Sequence, residues 1–382
     1  MTLGGLTALS SLALPSLALA ADAASQPVSP SSYDEMHWRL VGPFRGGWAT
    51  MAVGSPTQPD TFYFGAAGGG VWRTDDAGRT WRSLFDKGGA ASIGALAVAP
   101  SDPDTLYVGT GQPEPRYDVT AGEGVYKSTD GGKTWTSIGL AATKYIGRIW
   151  VDPRHADTLL VGAQGHFFGP SPARGVFRST DGGKTWTQTL KIDDWTGVED
   201  IASDPQNPDL IFAAAWQVRQ YPWQSYFTPA EGPGSAIYVS RDGGVTWSKL
   251  SGGGWPEGPL GRIGLAVTRL ADGQTRIYAT IDSHTHGGLW RSDDGGAHWS
   301  RVNPERAFTS YYASRITVAP DDPDTLYTVG QSIRRCTKGG TSCTIIRGSP
   351  GGDDYHFIWI NPLHPDHIIT GSDQGAAVSV DG

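Results

Sequence analysis

Three arginines, an aspartate and a histidine recur at one register of a repeating pattern. Arg148, Asp200, Arg262, Arg315 and His356 each open an apolar segment of strand character, where Thr50 and Ala95 stand in the two earlier copies. Should those segments converge, three guanidinium forks would share a centre, and such forks hold carboxylates through paired hydrogen bonds. The same geometry allows the opposite outcome, in which carboxylates such as Glu199 and Asp354 pair with the arginines and fill the centre together with water. Aromatic stretches flank these positions. Residues 216–235 carry Trp216, Arg219, Tyr221, Trp223, Tyr226 and Phe227; Arg116 lies beside Glu114, Tyr117 and Asp118; His166 precedes Phe167 and Phe168. Rings of this kind stack on sugars or grip peptide side chains, and they serve equally well to pack against a second domain.

Other chemistries find less support. A glycosidase needs two carboxyl groups about 5–10 Å apart. Asp193, Asp194, Glu199, Asp200, Asp353 and Asp354 could supply such a pair, as could any Asp-rich loop. No G-x-S-x-G elbow for an acyl hydrolase is present. His284 and His286 lack a third ligand close in sequence, so neither a metal nor a cofactor is expected. The "GGKT" stretches at 131–134 and 182–185 would need a glycine five positions before their second glycine to cradle a phosphate. Lys127 and Arg178 stand there. A net charge of -8 argues against a nucleic-acid partner.

The elements that must position these residues are legible as repeats. "STDGGKTW" occurs identically at 128–135 and 179–186, with variants at 74–81, 240–247 and 292–299, a degenerate copy at 336–343, and the start of a seventh at 379–382. A second motif keeps step with it. "LAVAPSDPDTLYVGT", "IWVDPRHADTLLVGA" and "ITVAPDDPDTLYTVG" each read as an apolar strand, a Pro/Asp turn and a second strand. A third strand leads into each octet and a fourth follows its tryptophan. Four antiparallel strands recurring at intervals of roughly 50 residues are the mark of β-propeller blades, and seven octets imply seven blades. The octet's Asp can accept hydrogen bonds from its own turn, and the glycine after it can take a positive φ, so the octet is a structural corner. Among 382 residues, 53 are Gly and only 18% are charged, which suits many short strands and tight turns.

The N-terminus reads as an export signal. Residues 12–19 form an apolar run, and Ala18-Leu19-Ala20 resembles a cleavage site, although no basic residue precedes Arg39. Pro15 and several hydroxyl residues make the run too short and broken for a membrane span. The expected organisation is a signal peptide at 1–20, a disordered linker at 21–35, and a seven-bladed propeller at 36–382 whose last blade is truncated. The mature protein is expected to be secreted or periplasmic. Cys336 and Cys343 replace the Ser and Trp of the degenerate octet, where facing positions of a hairpin could form a disulfide.

The octet resembles the Asp-box, or BNR repeat, of sialidases, sortilin-type receptors and family 74 xyloglucanases. With "WRLVGPFRGGW" and "GAAGGGVWRTDDAGRTW", the chain is similar to large bacterial BNR-repeat proteins described as glycosyl hydrolases or sortilin N-terminal-domain proteins. The resemblance implies an all-β propeller, probing a glycan or an exported peptide, with a second propeller elsewhere in a longer protein. It also implies where catalysis would lie. The family 74 base falls in a stretch matching residues 66–73 here, with Ala67 at the position of the Asp, and the partner acid comes from the second propeller. In sialidases an R-I-P stretch stands where this chain has Arg45-Gly46-Gly47. The reading favoured is therefore a binding module acting through Arg148, Asp200, Arg262, Arg315, His356, Trp216, Trp223 and Arg116. The alternative is one half of a glycoside hydrolase whose cleft lies between two propellers. Residues 38–41 are expected to supply the fourth strand of the last blade, closing the ring.

Overall fold

The computed structural model describes residues 28–36, 47–221, 223, 230–305, 315–349 and 352–382. Two compact units divide the chain, Met1–Phe44 and Arg45–Gly382. In the first, the described residues hold a single 3₁₀ turn, Pro30–Tyr33. The second is a seven-bladed β-propeller. Six sheets have four strands and one has three, and within every blade successive strands pair as antiparallel neighbours. The region assigned to the closing strand, residues 38–41, lies outside the described residues.

The seven inner strands run Ala49–Ser55, Ile93–Ala99, Ile146–Val151, Thr196–Ser203, Ile263–Arg269, Ile316–Ala319 and Tyr355–Ile360. They and the second strands are mostly buried, least so in the sixth blade, because each blade is covered on both faces by its neighbours. Leu210, Phe212, Ile237 and Val239 of the fourth blade, for instance, pack against Ile263, Leu265, Ile277 and Trp290 of the fifth. Each such side chain contributes about 1.5–3 kcal/mol when fully removed from water. The ring closes between first and last blades. Phe357 joins the cluster of Met51, Tyr63 and Leu96, while Asn361 donates from Nδ2 to the Ser55 carbonyl at 3.4 Å. The turns between first and second strands are fixed by aspartates. In two blades Asp102 and Asp322 each accept from a Thr hydroxyl three residues on, at 2.7 Å.

The octets behave as corners. Asp130 Oδ1 accepts from the Thr134 backbone N–H at 2.9 Å and Oδ2 from its hydroxyl at 2.6 Å, while Ser128 Oγ accepts from the Gly132 N–H at 2.9 Å. Gly131 and Gly132 take φ of 70° and 87°, where a side chain would cost about 1–2 kcal/mol. The same bonds recur at Asp76, Asp181 and Asp242, and in part at Asp294. The corners also join blades. Trp135 Nε1 donates to the Leu84 carbonyl of the preceding blade at 2.9 Å, and Trp186 Nε1 to Ile138 at 2.7 Å. In the other direction, Arg73 and Arg178 reach the carbonyls of Gly131 and Gly243 in the next corner. The sixth corner has lost its Asp to Lys338, and there Cys336 and Cys343 face each other across the hairpin and form a disulfide.

Candidate functional site

Turns between strands one and two, and the octets, occupy one face of the propeller. The loops from strand two to three, and the connections between blades, occupy the other, where the inner strands begin. The polar residues recognised in the sequence converge there at the channel. Arg262 and Arg315 are 1% and 4% exposed. Both bind Glu199: Arg262 Nε donates to Oε1 at 3.0 Å with Nη2 on the same oxygen, and Arg315 Nη2 approaches it at 3.0 Å. Arg315 also donates to the Gly147 carbonyl at 2.8 Å and lies 3.3 Å from Asp200. Asp200 in turn accepts from the backbone N–H groups of Ile201 and Leu265 at 3.0 and 3.1 Å, and Arg148 stands 3.5 Å away. The arginines that could have faced a ligand are held by carboxylates of the same channel. Phe357 lies under the guanidinium groups of Arg148 and Arg315, adding an aromatic floor.

Glu114 comes from the second blade's loop and completes this cluster. Its Oε1 is 3.8 Å from Arg262 Nη2, and its Oε2 has no hydrogen-bond partner among the described residues. Burial pushes its carboxyl up to about 7, Arg262 and Arg315 pull the other way, and Glu199 adds to the rise. Arg262 answers with a guanidinium held above its ordinary range: burial opposes the charge, but Glu199 and Glu114 outweigh it. Burial lowers Arg148, with Asp200 countering. His356 is set apart from the arginines. Asp373 contacts its Nε2 at 2.8 Å and Trp48 Nε1 touches the same nitrogen; burial nevertheless lowers its pKa. Thr50 Oγ1 is engaged with backbone carbonyls of Gly65 and Ile93.

The aromatic candidates separate by burial. Trp216 is 1% exposed; it packs with Tyr145, Phe167 and Val218, lies below Arg262 at 5.6 Å, and donates from Nε1 to the Ala230 carbonyl at 2.9 Å. Trp223, by contrast, is 82% exposed and sits 5.3 Å from the Tyr221 ring. Arg116 is half-buried, stacks over Trp48 at 5.5 Å and contacts Asp118 at 3.4 Å. Tyr226 and Phe227 lie outside the described residues.

Beside Trp216 opens a cleft of about 370 Å³ lined by Trp195, Gln217, Val218, Arg219, Tyr221, Ala230 and Glu231. Arg219 is exposed, with its guanidinium 5.0 Å from the Trp195 ring and 4.4 Å from Tyr221. The wall is braced from below by Arg174, wholly buried, which donates to the carbonyls of Trp195 at 2.7 Å and His166 at 2.6 Å. Burial lowers Arg174 to about 10, against the pull of Asp193 and Asp194. Trp195 and Glu231 escaped the sequence reading. Trp195 lies in a connection between blades, where no repeat pattern marks it, although "DDW" immediately before an inner strand is the available signal.

Among the described residues no three His, Cys, Asp or Glu side chains are grouped to hold a metal ion, and no helix is long and apolar enough to cross a membrane.

Comparison with known proteins follows the same lines. The family described as sortilin, neurotensin receptor 3, matches residues 69–213, and the BNR/Asp-box repeat matches residues 238–249. This chain is a propeller of the Asp-box group with sortilin-like and family-74-like relatives. A xyloglucanase from Paenibacillus sp is 26% identical over 345 residues, covering 82% of this chain but 31% of the relative. Among solved structures, the family 74 xyloglucanase from Xanthomonas campestris superposes with a TM-score of 0.64 at 20% identity, over 90% of this chain and 54% of that one. YCF48 bound to D1 peptide superposes with a TM-score of 0.55 at 12% identity, over 88% of this chain and 93% of that one. At these identities the structural likeness concerns the fold. The Asp-box propeller thus spans about a third of the Paenibacillus relative and about half of the Xanthomonas enzyme.

Proposed function

We propose that this Asp-box propeller is an exported glycan-binding module whose ligand lies on the channel face, across the rim cleft and the exposed Trp223. The observation that carries the reading is the contrast between channel and rim. In the channel, Arg262 and Arg315 are buried and neutralised by Glu199 and Asp200. At the rim, Arg219, Tyr221 and Trp223 present aromatic and guanidinium surface to solvent. Sugar rings bind such surfaces through their apolar faces while their hydroxyls meet polar edges. The xyloglucanase relatives make a xyloglucan oligosaccharide the first neutral ligand to test.

Binding without hydrolysis is the form of the activity proposed for this chain. Ala67 stands at the position of the family 74 base, and a lone carboxylate cannot both protonate a leaving group and activate water. The second reading, a hydrolase half completed by another propeller, is favoured by the relatives' names and by their greater length. Calorimetric titration with xyloglucan oligosaccharides and a reducing-end assay on the same samples separate the two. Binding that Trp223→Ala weakens, with no new reducing ends, is expected. Robust release of reducing ends by this chain alone would overturn the binding reading, as would absence of binding by neutral and acidic saccharides alike at millimolar ligand.

A further inference from the structure

The rim cleft presents hydrogen-bond donors in excess of acceptors. The Arg219 guanidinium has no hydrogen-bonded or ion-paired acceptor among the described residues and is kept in place by the Trp195 and Tyr221 rings. Gln217 uses Oε1 to accept from the Gly234 N–H at 2.9 Å, which fixes the amide so that Nε2 remains to donate. The cleft's one carboxylate is already engaged. Glu231 Oε1 accepts from the His284 backbone N–H at 2.8 Å, and Oε2 lies 3.0 Å from its Nδ1. Of the neighbouring acids, Asp193 accepts from the Trp195 and Thr196 N–H groups at 2.7 Å, and Asp194 pairs with Lys191 at 2.7 Å. Among the described residues, the Arg219 charge and the Gln217 amide donors are therefore left without an acceptor.

We infer that the cleft lined by Trp195, Gln217, Arg219 and Tyr221 binds the carboxylate of a uronic acid, so that the preferred ligand is an acidic glycan. The inference rests on the glycan-binding reading and narrows it. A guanidinium clamped between two rings keeps its plane fixed, so less rotamer freedom is lost when a carboxylate takes its N–H edge. The rings that clamp it also offer apolar surface beside the carboxylate, as a pyranose requires and a bare anion does not. The cleft is large enough for one to two sugar rings and opens on the same face as Trp223.

The test titrates the full chain with trigalacturonate, its methyl ester, a neutral xyloglucan oligosaccharide and a peptide with a free C-terminal carboxylate. Arg219→Gln and Arg219→Lys are run alongside; Arg219 is exposed, so both variants should keep the parent thermal midpoint. Trigalacturonate is expected to bind about ten- to hundredfold more tightly than its ester, the usual weight of hydrogen bonds to a charged group. That preference should vanish in Arg219→Gln, survive in part in Arg219→Lys, and shrink as salt rises. Equal binding of acid and ester overturns the inference, as does a preference that persists in Arg219→Gln. A carboxylate peptide binding as tightly as the uronate overturns the sugar assignment. Neutral oligosaccharide bound without acid preference overturns this inference alone, whereas no saccharide binding overturns the glycan reading with it.

Discussion

Replacing Glu114 by Gln should change how stability depends on pH, and the channel sets the size of the effect. Glu114 is buried beside Arg262, whose Nε and Nη2 already serve Glu199, so a second carboxylate receives only a 3.8 Å contact. Desolvation therefore dominates and holds the carboxyl at about 7, above its ordinary 4.5. A carboxyl whose folded pKa is raised contributes stability that is present in full below about 4.5 and is lost as pH rises through about 7. The gap is worth about 3 kcal/mol at most. Gln fills the same volume, keeps an acceptor for Arg262 and cannot ionise. His356, lowered by burial, acts in the opposite sense, gaining stability as pH rises toward 6.5, so the parent curve alone does not isolate Glu114. The difference between variant and parent does. Urea unfolding of both proteins at half-unit steps from pH 5 to 8.5 should show Glu114→Gln gaining on the parent by about 2–3 kcal/mol across that range. A difference that stays constant with pH, or grows toward acid, would refute the reasoning.

Three further outcomes are expected. Asp181→Ala removes the acceptor for the Thr185 N–H and hydroxyl, and should lower the urea midpoint without changing the denaturant slope, because the corner loses the side chain that caps it. The octet acids Asp76, Asp130 and Asp242 are held near 2 by hydrogen bonds from Thr80, Thr134 and Thr246; their contribution is present above about 3.8 and lost as pH falls through about 2, so thermal melts below pH 4 should show a steep fall that Asp130→Asn makes shallower. Reducing the Cys336–Cys343 bond should cost about 2–2.5 kcal/mol, given the short loop it closes, and should leave the far-UV circular dichroism unchanged. An unchanged melting midpoint after verified reduction would show that the bond adds no constraint.

How much could be read beforehand depended on the range of the interaction. The octets were legible because their chemistry is local: Asp130 serves a threonine four residues on, and Gly131 and Gly132 meet the backbone's own demands. The register of Arg148, Asp200, Arg262 and Arg315 was legible because inner strands repeat. What those arginines bind was not, since Glu114 arrives from the second blade to meet Arg262 of the fifth, and ring closure alone brings them together. Two tryptophans close in sequence, Trp216 at the end of the fourth blade's second strand and Trp223 in the loop after it, show the same limit. Trp216 and Trp223 are alike in composition and context, yet Tyr145 and Phe167 from the third blade cover the first and nothing described covers the second.

The energetics of the channel favour the rim as the place for the proposed recognition. A ligand carboxylate reaching Arg262 would have to displace Glu199, leaving a buried charge without its partner, and breaking a pair of this kind costs about 3–5 kcal/mol. A single carboxylate contact returns no more than that, so exchange brings no net affinity. The cost is moreover set by the fold: Asp200 is tied to the backbone of two blades, and Arg315 to the Gly147 carbonyl of a third. These groups close the ring electrostatically as Phe357 and its neighbours close it by packing. Truncating Arg262 should accordingly act on folding before it acts on binding. At Arg219 no such partner among the described residues has to be displaced, and the guanidinium is already held by Trp195 and Tyr221. A charge needed to seal the propeller and a charge left to meet a ligand are thus told apart by whether the protein supplies the counter-charge itself.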